Sequence, residues 1–327
     1  MSETVADQRL AESRFDLEAL LAKADHRFLL DDHRGAAGFY AFAARSFDPA
    51  SSPGALRAAQ MRDWLGDRFR EHIVCGLEEA GFARQHWPAR FQAALQIMFG
   101  ERQRDLVTEP FPQLPRLFFY PDLPYIDFAD VTQFPWRKEL ESRYREMRDE
   151  ASALLADTAD FSPYVQRSNA YPQGDVYGLV ENPQWSSLYL WEAGQPVREN
   201  AAGCPRTFQA LNELVPQCEI GEKFPVVLFS LLQAGAHIPP HNGMLNIQYI
   251  CHLPLIVPPG CSFRVGERTV EWREGEMLAF DDTVEHEARN DSDEDRLILL
   301  FYIWNPHLSD DEKLIVRRML EIVHNYR

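Results

Sequence analysis

Cysteine is scarce and poorly placed for cross-linking. The 327-residue chain has five (Cys75, Cys204, Cys218, Cys251 and Cys261), an odd number with no CxxC pair, which argues against a disulfide framework or a thiolate zinc site. Positive charge is also in deficit. Against 50 Asp and Glu stand 33 Lys and Arg, a formal charge of −17 that repels phosphate backbones and anionic lipid surfaces, so no nucleic-acid partner is expected. No stretch approaches the ~18 continuous apolar residues of a membrane-spanning helix. The N-terminal MSETVADQRLAESRF lacks the basic start and apolar run of a targeting signal. These absences predict a cytoplasmic protein with no membrane insertion. Core-forming material is ample: 45% of the residues are hydrophobic and 12% aromatic.

From Thr4 to about Gly100 the texture is helical, and residues 1–108 form a helical N-terminal region. In LLAKADHRFLLDDHRGAAGFYAFAARSFDP, Phe28, Ala37 and Ala44 precede Pro49 near the aromatic and small positions of a tetratricopeptide repeat, while an ordinary helical hairpin explains them equally well. A further helix opens at Ser52-Pro53 with Leu56, Trp64, Leu65, Phe69, Ile73 and Leu77 on one apolar stripe, read as core. Residues 109–135 carry six prolines among aromatics, a connector packed on the next domain, 136–327. A charged helix runs from Trp136 to about Leu155. From about Val176 short strands follow one another without intervening helices: Trp185 to Trp191, Pro225 to Leu232, Asn246 to Val257, Ser262 to Val265, Thr269 to Trp272, Met277 to Phe280 and Leu297 to Trp304. Such regular short strands predict a sandwich or barrel. Ser309 and Glu312 sit at capping-box spacing before a closing helix. The class is α+β, a helical region followed by a β domain.

Two histidines stand out, His241 in AHIPPHNGMLN and His286 in FDDTVEHEARN, each beside a strand-like stretch. If they meet in space they can bind a metal. Alternation along Asn246 to Val257 puts Gln248, Ile250 and His252 on one face and Tyr249, Cys251 and Leu253 on the other; the same parity groups Leu228, Ser230 and Leu232, and Arg296, Ile298 and Leu300. A face with Ser230, His252 and Arg296 is odd for a core. A buried arginine calls for an anion such as a carboxylate, and two imidazoles beside a chelating dicarboxylate suggest a ferrous site. His72, His86, His237 and His307 read as ordinary structural or surface histidines. Tyr249, Cys251, Trp272, Phe280 and Trp304 read as core, and Asp291 to Asp295 as a solvated turn.

The stretch from Trp185 to Pro306, with FSLLQAGAHIPPHNGMLNIQYICHLPLIVP and EWREGEMLAFDDTVEHEARNDSDEDRLILLFYIWNP, resembles the catalytic domain of the aspartyl/asparaginyl β-hydroxylase family. The separations Ser230 to His241, His241 to His252 and His286 to Arg296 (11, 11 and 10 residues) follow the order of groups in that family. The resemblance implies a double-stranded β-helix of the jelly-roll or cupin type and an iron(II)- and 2-oxoglutarate-dependent dioxygenase. It implies His241 and His286 as catalytic iron ligands, Arg296 on the distal carboxylate of 2-oxoglutarate, and Ser230 and His252 on other oxygens of that co-substrate. Gly243 stands where most such oxygenases have a ligating Asp or Glu, and family members with glycine there complete the metal sphere with water; Asp281 and Asp282 are structural or neighbouring groups. Trp185 lines the implied substrate cleft. Gln248 and Ile250 take the positions of two substrate-binding arginines in the animal enzyme, which argues against an aspartate substrate.

The implied chemistry consumes O2 and 2-oxoglutarate and releases succinate and CO2. Its expected target is an unactivated C–H of an amino-acid residue in a peptide or protein, with the helical region available to a protein partner. The alternatives are a free or carrier-bound amino acid or a lipid acyl chain, and a non-catalytic interaction protein. An open groove beside Trp185 favours a peptide and a closed pocket a small molecule.

Overall fold

Alanine and leucine at helical spacing build the first four elements of the computed structural model, which describes residues 1–105, 109–155, 161–168, 170–173 and 178–326. They are α1 (Glu3–Glu12), α2 (Leu17–Leu29), α3 (His33–Ser46) and α4 (Pro53–Glu79). Each starts at a residue whose side-chain oxygen accepts an otherwise orphaned N–H: Ser2 from Val5, Asp16 from Ala19, Asp32 from Gly35 and Ser52 from Ala55. Consecutive helices pack on one another, with Leu20, Ala24, Ala36, Phe39, Tyr40, Ala43, Ala58 and Leu65 as their buried core. The fully buried alanines Ala36 and Ala43 lie one residue before Ala37 and Ala44, which are partly buried.

The apolar stripe of α4 is narrower than expected. Leu65, Ile73 and Leu77 are buried, whereas Leu56 and Trp64 are 48% and 42% exposed. At about 100° per residue Trp64 falls on the side away from Leu65, Ile73 and Leu77, whereas Leu56 shares the azimuth of the buried Val74 and is exposed near the start of the helix.

The described residues form two compact units, one from Met1–His86, Gln166–Val176 and Arg318–Arg327, the other from Trp87–Val165 and Tyr177–Arg317. The boundary expected at 108 and the strand onset expected at Val176 lie outside the described residues.

The second unit holds α5 (Ala89–Met98), α6 (Arg137–Ser142), α7 (Tyr144–Leu155), β1 (Ser162–Pro163), β2 (Trp185–Glu192), β3 (Gln195–Pro196), α8 (Arg198–Gly203) and α9 (Pro205–Leu214). Then come β4 (Val227–Leu232), β5 (His237–His241), β6 (Gln248–Ile256), β7 (Cys261–Val265), β8 (Arg268–Glu271), β9 (Leu278–Phe280), β10 (His286–Asn290) and β11 (Arg296–Trp304); the closing helix α10 (Asp310–Asn325) belongs to this unit up to Arg317. One sheet has the order β1-β2-β4-β11-β6-β9, with β3 on β2, and the other β5-β10-β7-β8. All these pairings are antiparallel.

Side-chain alternation divides the packing. Tyr249, Cys251, Leu253, Leu297, Leu299, Phe301, Val227, Phe229 and Leu231 face a layer that includes Leu140, Met147, Ala151, Ala210 and Leu211 of α6, α7 and α9. Leu228, Leu232, Ile250 and Leu300 point the other way, against Ile238, Phe263, Val265 and Ala288 of the smaller sheet. Two antiparallel sheets face to face around this inner core make an α+β protein with a cupin-like, double-stranded β-helix.

Three expectations need correction. The charged helix is two, α6 and α7, broken at Arg143. Two helices, α8 and α9, interrupt the strand region, with Pro205 at the first turn of α9 where a missing N–H costs nothing. Finally β5 and β10, absent from the expected strands, carry the two histidines. β5 contains Pro239 and Pro240, tolerated because it is the edge of its sheet, and β10 reads HEARN, too charged to look like a strand.

The capping box forms as expected. The Ser309 N–H donates to Glu312 Oε2 at 2.9 Å and the Glu312 N–H to Ser309 Oγ at 3.2 Å. Glu312 also accepts from Arg90 (2.6 and 2.8 Å) and from the Tyr120 hydroxyl (2.8 Å). Burial alone would raise its pKa, but Arg90, the Ser309 N–H and Tyr120 outweigh burial and hold it at about 2. A depressed carboxylate stabilises the fold above its unfolded pKa, and that contribution is lost as pH falls through the folded value. Glu312→Gln is therefore expected to cost about 2 kcal/mol at neutral pH and progressively less toward pH 2. Urea denaturation across that range checks the trend, and a pH-independent cost would contradict it.

Candidate metal and co-substrate site

His241 ends β5 and His286 begins β10, and the strand register sets them directly opposite each other. Their ring centroids are 4.1 Å apart, with the planes inclined at 53°. The His241 Nδ1 lies 2.8 Å from the Pro239 carbonyl oxygen and the His286 Nδ1 3.0 Å from that of Val284. A carbonyl accepts and cannot donate, so each Nδ1 carries the proton and each Nε2 keeps its lone pair, the tautomer a metal requires. Burial, joined for His286 by repulsion from His241, lowers both pKa values and keeps the imidazoles neutral. Arg116 adds to the effect on His241.

At Gly243 packing leaves no room for a larger side chain. A Cβ built on Gly243 would lie 1.8 Å from Asp282 Oδ2. The Asp282 carboxyl thus fills the space that an Asp or Glu at 243 would enter. Asp282 is 5% exposed, its Oδ1 has no partner, and burial together with repulsion from Asp281 pushes its pKa well above the usual range. Asp281 is held elsewhere: its Oδ1 accepts from the Thr283 N–H (2.9 Å) and hydroxyl (2.6 Å), its Oδ2 from the Gln113 amide. Among the described residues no three His, Cys, Asp or Glu side chains form a metal-holding group. Gly243→Ala is expected to cost roughly 1–3 kcal/mol, because the added methyl overlaps the buried Asp282 carboxyl, which must shift. Chemical denaturation measures this, and wild-type stability in the variant would show that the Asp282 carboxyl is free to move.

Arg296 and His252 lie deeper between the sheets. Arg296 is 1% exposed, and its Cζ sits 5.0 Å over the Trp272 ring. Its Nε and Nη2, His252 Nδ1 and Trp272 Nε1 are all buried without hydrogen-bond partners among the described residues. Burial with no carboxylate alongside lowers the Arg296 pKa to about 10. Burial, then repulsion from Arg296, holds His252 neutral. Several donors left unsatisfied around one cation are costly unless an anion completes them. Phe263 and Phe280 pack beside His252 and His286, with ring centroids 4.8–6.2 Å from one another and from those two imidazoles.

Ser230, on the central strand β4, is 3% exposed, and its Oγ accepts from Trp185 Nε1 at 3.2 Å. Trp185 stacks on Tyr164 at 4.2 Å and lies 6.0 Å from His241. Ser230, His241, His252, His286, Arg296 and Trp185 thus line the space between the two sheets. Gln248 is 2% exposed with an unpartnered Oε1, and Ile250 belongs to the inner core; neither is an open surface residue. Tyr164 gives no local signal in the sequence, and Trp272 is the core residue expected and also the platform under Arg296.

A family model for aspartyl/asparaginyl β-hydroxylase matches residues 141–306. The human protein named aspartyl/asparaginyl β-hydroxylase is 31% identical over 185 residues, 54% of this chain and 22% of that one. Human aspartate β-hydroxylase domain-containing protein 2 is 32% identical over 218 residues, 65% of this chain and 56% of that one. The ornithine lipid ester-linked acyl 2-hydroxylase of Rhizobium tropici is 30% identical over 173 residues, 52% of this chain and 57% of that one. The chain belongs to the aspartyl/asparaginyl β-hydroxylase family. The matched region covers between about a fifth and three fifths of these relatives' own lengths.

Proposed function

We propose that this chain is an iron(II)- and 2-oxoglutarate-dependent dioxygenase that hydroxylates an unactivated C–H of an amino-acid residue in a peptide or protein. The observation that carries the reading is the pairing of two opposed, neutral imidazoles, each with a free Nε2, with a buried arginine whose Nε and Nη2 have no partner among the described residues. Those residues fit the group: two nitrogen ligands with no protein carboxylate leave positions open for a chelating co-substrate and O2. His241 and His286 would hold iron, whose bound form supplies O2 activation coupled to decarboxylation of 2-oxoglutarate to succinate and CO2. Arg296 would receive the distal carboxylate, with His252 and Ser230 donating to other oxygens. Phe263, Phe280 and Trp272 exclude water there, which strengthens each of those contacts. Trp185 and Tyr164 would form the substrate wall.

The neutral Gln248 and Ile250 suit a target other than an acidic side chain and keep a second reading open, the same chemistry on an acyl chain or a small amino-acid substrate. The Rhizobium tropici relative is named for such an acyl hydroxylation. The five cysteines are free thiols, which supports a reducing, cytoplasmic setting, and among the described residues no helix is long and apolar enough to cross a membrane. Succinate formation by iron-reconstituted protein, measured with panels of peptides, amino acids and acyl lipids, decides between the readings. Stimulation confined to acyl lipids would overturn the peptide assignment.

A further inference from the structure

The segment before the oxygenase motifs supplies a buried side chain that touches the loops of both histidines. Gln113 is 8% exposed. Its Nε2 donates to Asp281 Oδ2, and its Oε1 accepts from Asn246 Nδ2 at 3.3 Å. A carboxylate cannot donate, so this amide orientation is the one that satisfies both partners. Asp281 stands five residues before His286, and Asn246 five after His241.

Each partner is itself fixed. Asp281 secures the Thr283 turn that leads into β10. Asn246, fully buried, accepts from the Tyr120 N–H at 2.7 Å and donates to the Tyr120 carbonyl at 2.8 Å. Around Gln113 the same two loops meet the same segment through the backbone. The Leu114 N–H donates to the Thr283 carbonyl (2.7 Å), that of Arg116 to Gly243 (3.1 Å), and those of Leu117 and Phe118 to Met244 (3.0 and 3.2 Å). The loops also meet directly, from the Gly243 N–H to the Asp282 carbonyl (2.6 Å) and from Asn242 Nδ2 to the Thr283 carbonyl (2.9 Å).

We infer that Gln113 is a positioning residue for the metal site, bridging the His241 and His286 loops so that the two imidazoles stay at metal-binding separation. The inference rests on the reading of that pair as metal ligands. Gln113 touches neither histidine, so it acts through the spacing of their loops. Losing a group that orients metal ligands weakens metal affinity by roughly 10- to 100-fold.

The test is a titration of the full-length protein with Co(II), followed by its visible absorption, in wild type, Gln113→Met and Gln113→Asn. Methionine keeps the volume and loses both hydrogen bonds, and asparagine keeps the amide but is too short to bridge. Ser52→Ala, which removes the N-cap of α4 in the other compact unit at a cost of about 1 kcal/mol, serves as a destabilised control outside this network. A Co(II) dissociation constant raised roughly 10- to 100-fold in both Gln113 variants, and unchanged in Ser52→Ala, supports the inference. Wild-type affinity in either Gln113 variant, or an equal loss in the Ser52 control, overturns it. If wild type itself binds no Co(II), the metal-site reading fails first, and the two failures are thereby separated.

Discussion

His286→Ala is expected to remove metal binding and to lower iron-dependent succinate formation by more than about a hundredfold, beyond the effect of losing a mere orienting group. Its imidazole is one of two opposed nitrogen donors, and no nearby His, Cys, Asp or Glu among the described residues replaces it. Asp282 is an unsuitable substitute because burial favours its protonated form. The variant gives up the hydrogen bond to the Val284 carbonyl, worth about 1 kcal/mol, and the packing of a buried ring on Phe263 and Phe280, so its fold is checked alongside its metal response. Thermal melts with and without added metal separate the two effects. Wild type should shift upward on adding metal and the variant should not. His241→Ala should behave alike, and full turnover in either variant would remove that residue from the site.

Arg296→Met is expected to change stability and activity in opposite directions. Without ligand, the guanidinium is a buried cation with two unpartnered nitrogens. Replacing it with an apolar side chain of similar length should stabilise the ligand-free protein by about 1–4 kcal/mol. With 2-oxoglutarate present the same change removes the partner of a buried carboxylate, a loss of about 2–5 kcal/mol, or roughly 30-fold or more in the co-substrate requirement. Metal binding should persist. Urea denaturation and the 2-oxoglutarate KM measure the two effects independently. A destabilised variant with unchanged KM would show that Arg296 is structural.

Much of the inner face was legible because a strand's period of two leaves little freedom. Once β6 is a strand, Ile250 and His252 share the face opposite Tyr249, Cys251 and Leu253, and the packing divides along that line. The histidine strands were harder. In β5 two prolines break the usual strand signature, and what makes them acceptable is the edge position, a property of the sheet and not of the segment. Helices α8 and α9, of 6 and 10 residues, are too short to give a clear helical period between the strands that flank them. Gln113 and Asp281 are 168 positions apart. Gly243 is instructive in another way: sequence marks it as a missing ligand, and the structure adds that the Asp282 carboxyl already occupies the room a ligand there would need.

A joint site for a divalent metal and 2-oxoglutarate between the sheets is open to anaerobic calorimetric titration, with Mn(II) as a redox-stable stand-in for iron and 2-oxoglutarate added before or after. The expected result is a single equivalent of each, with metal and co-substrate each tightening the other. His286→Ala should abolish metal uptake, whereas Arg296→Met should retain metal and lose the co-substrate. Absence of metal binding in wild type, or binding that neither variant alters, would contradict the joint site.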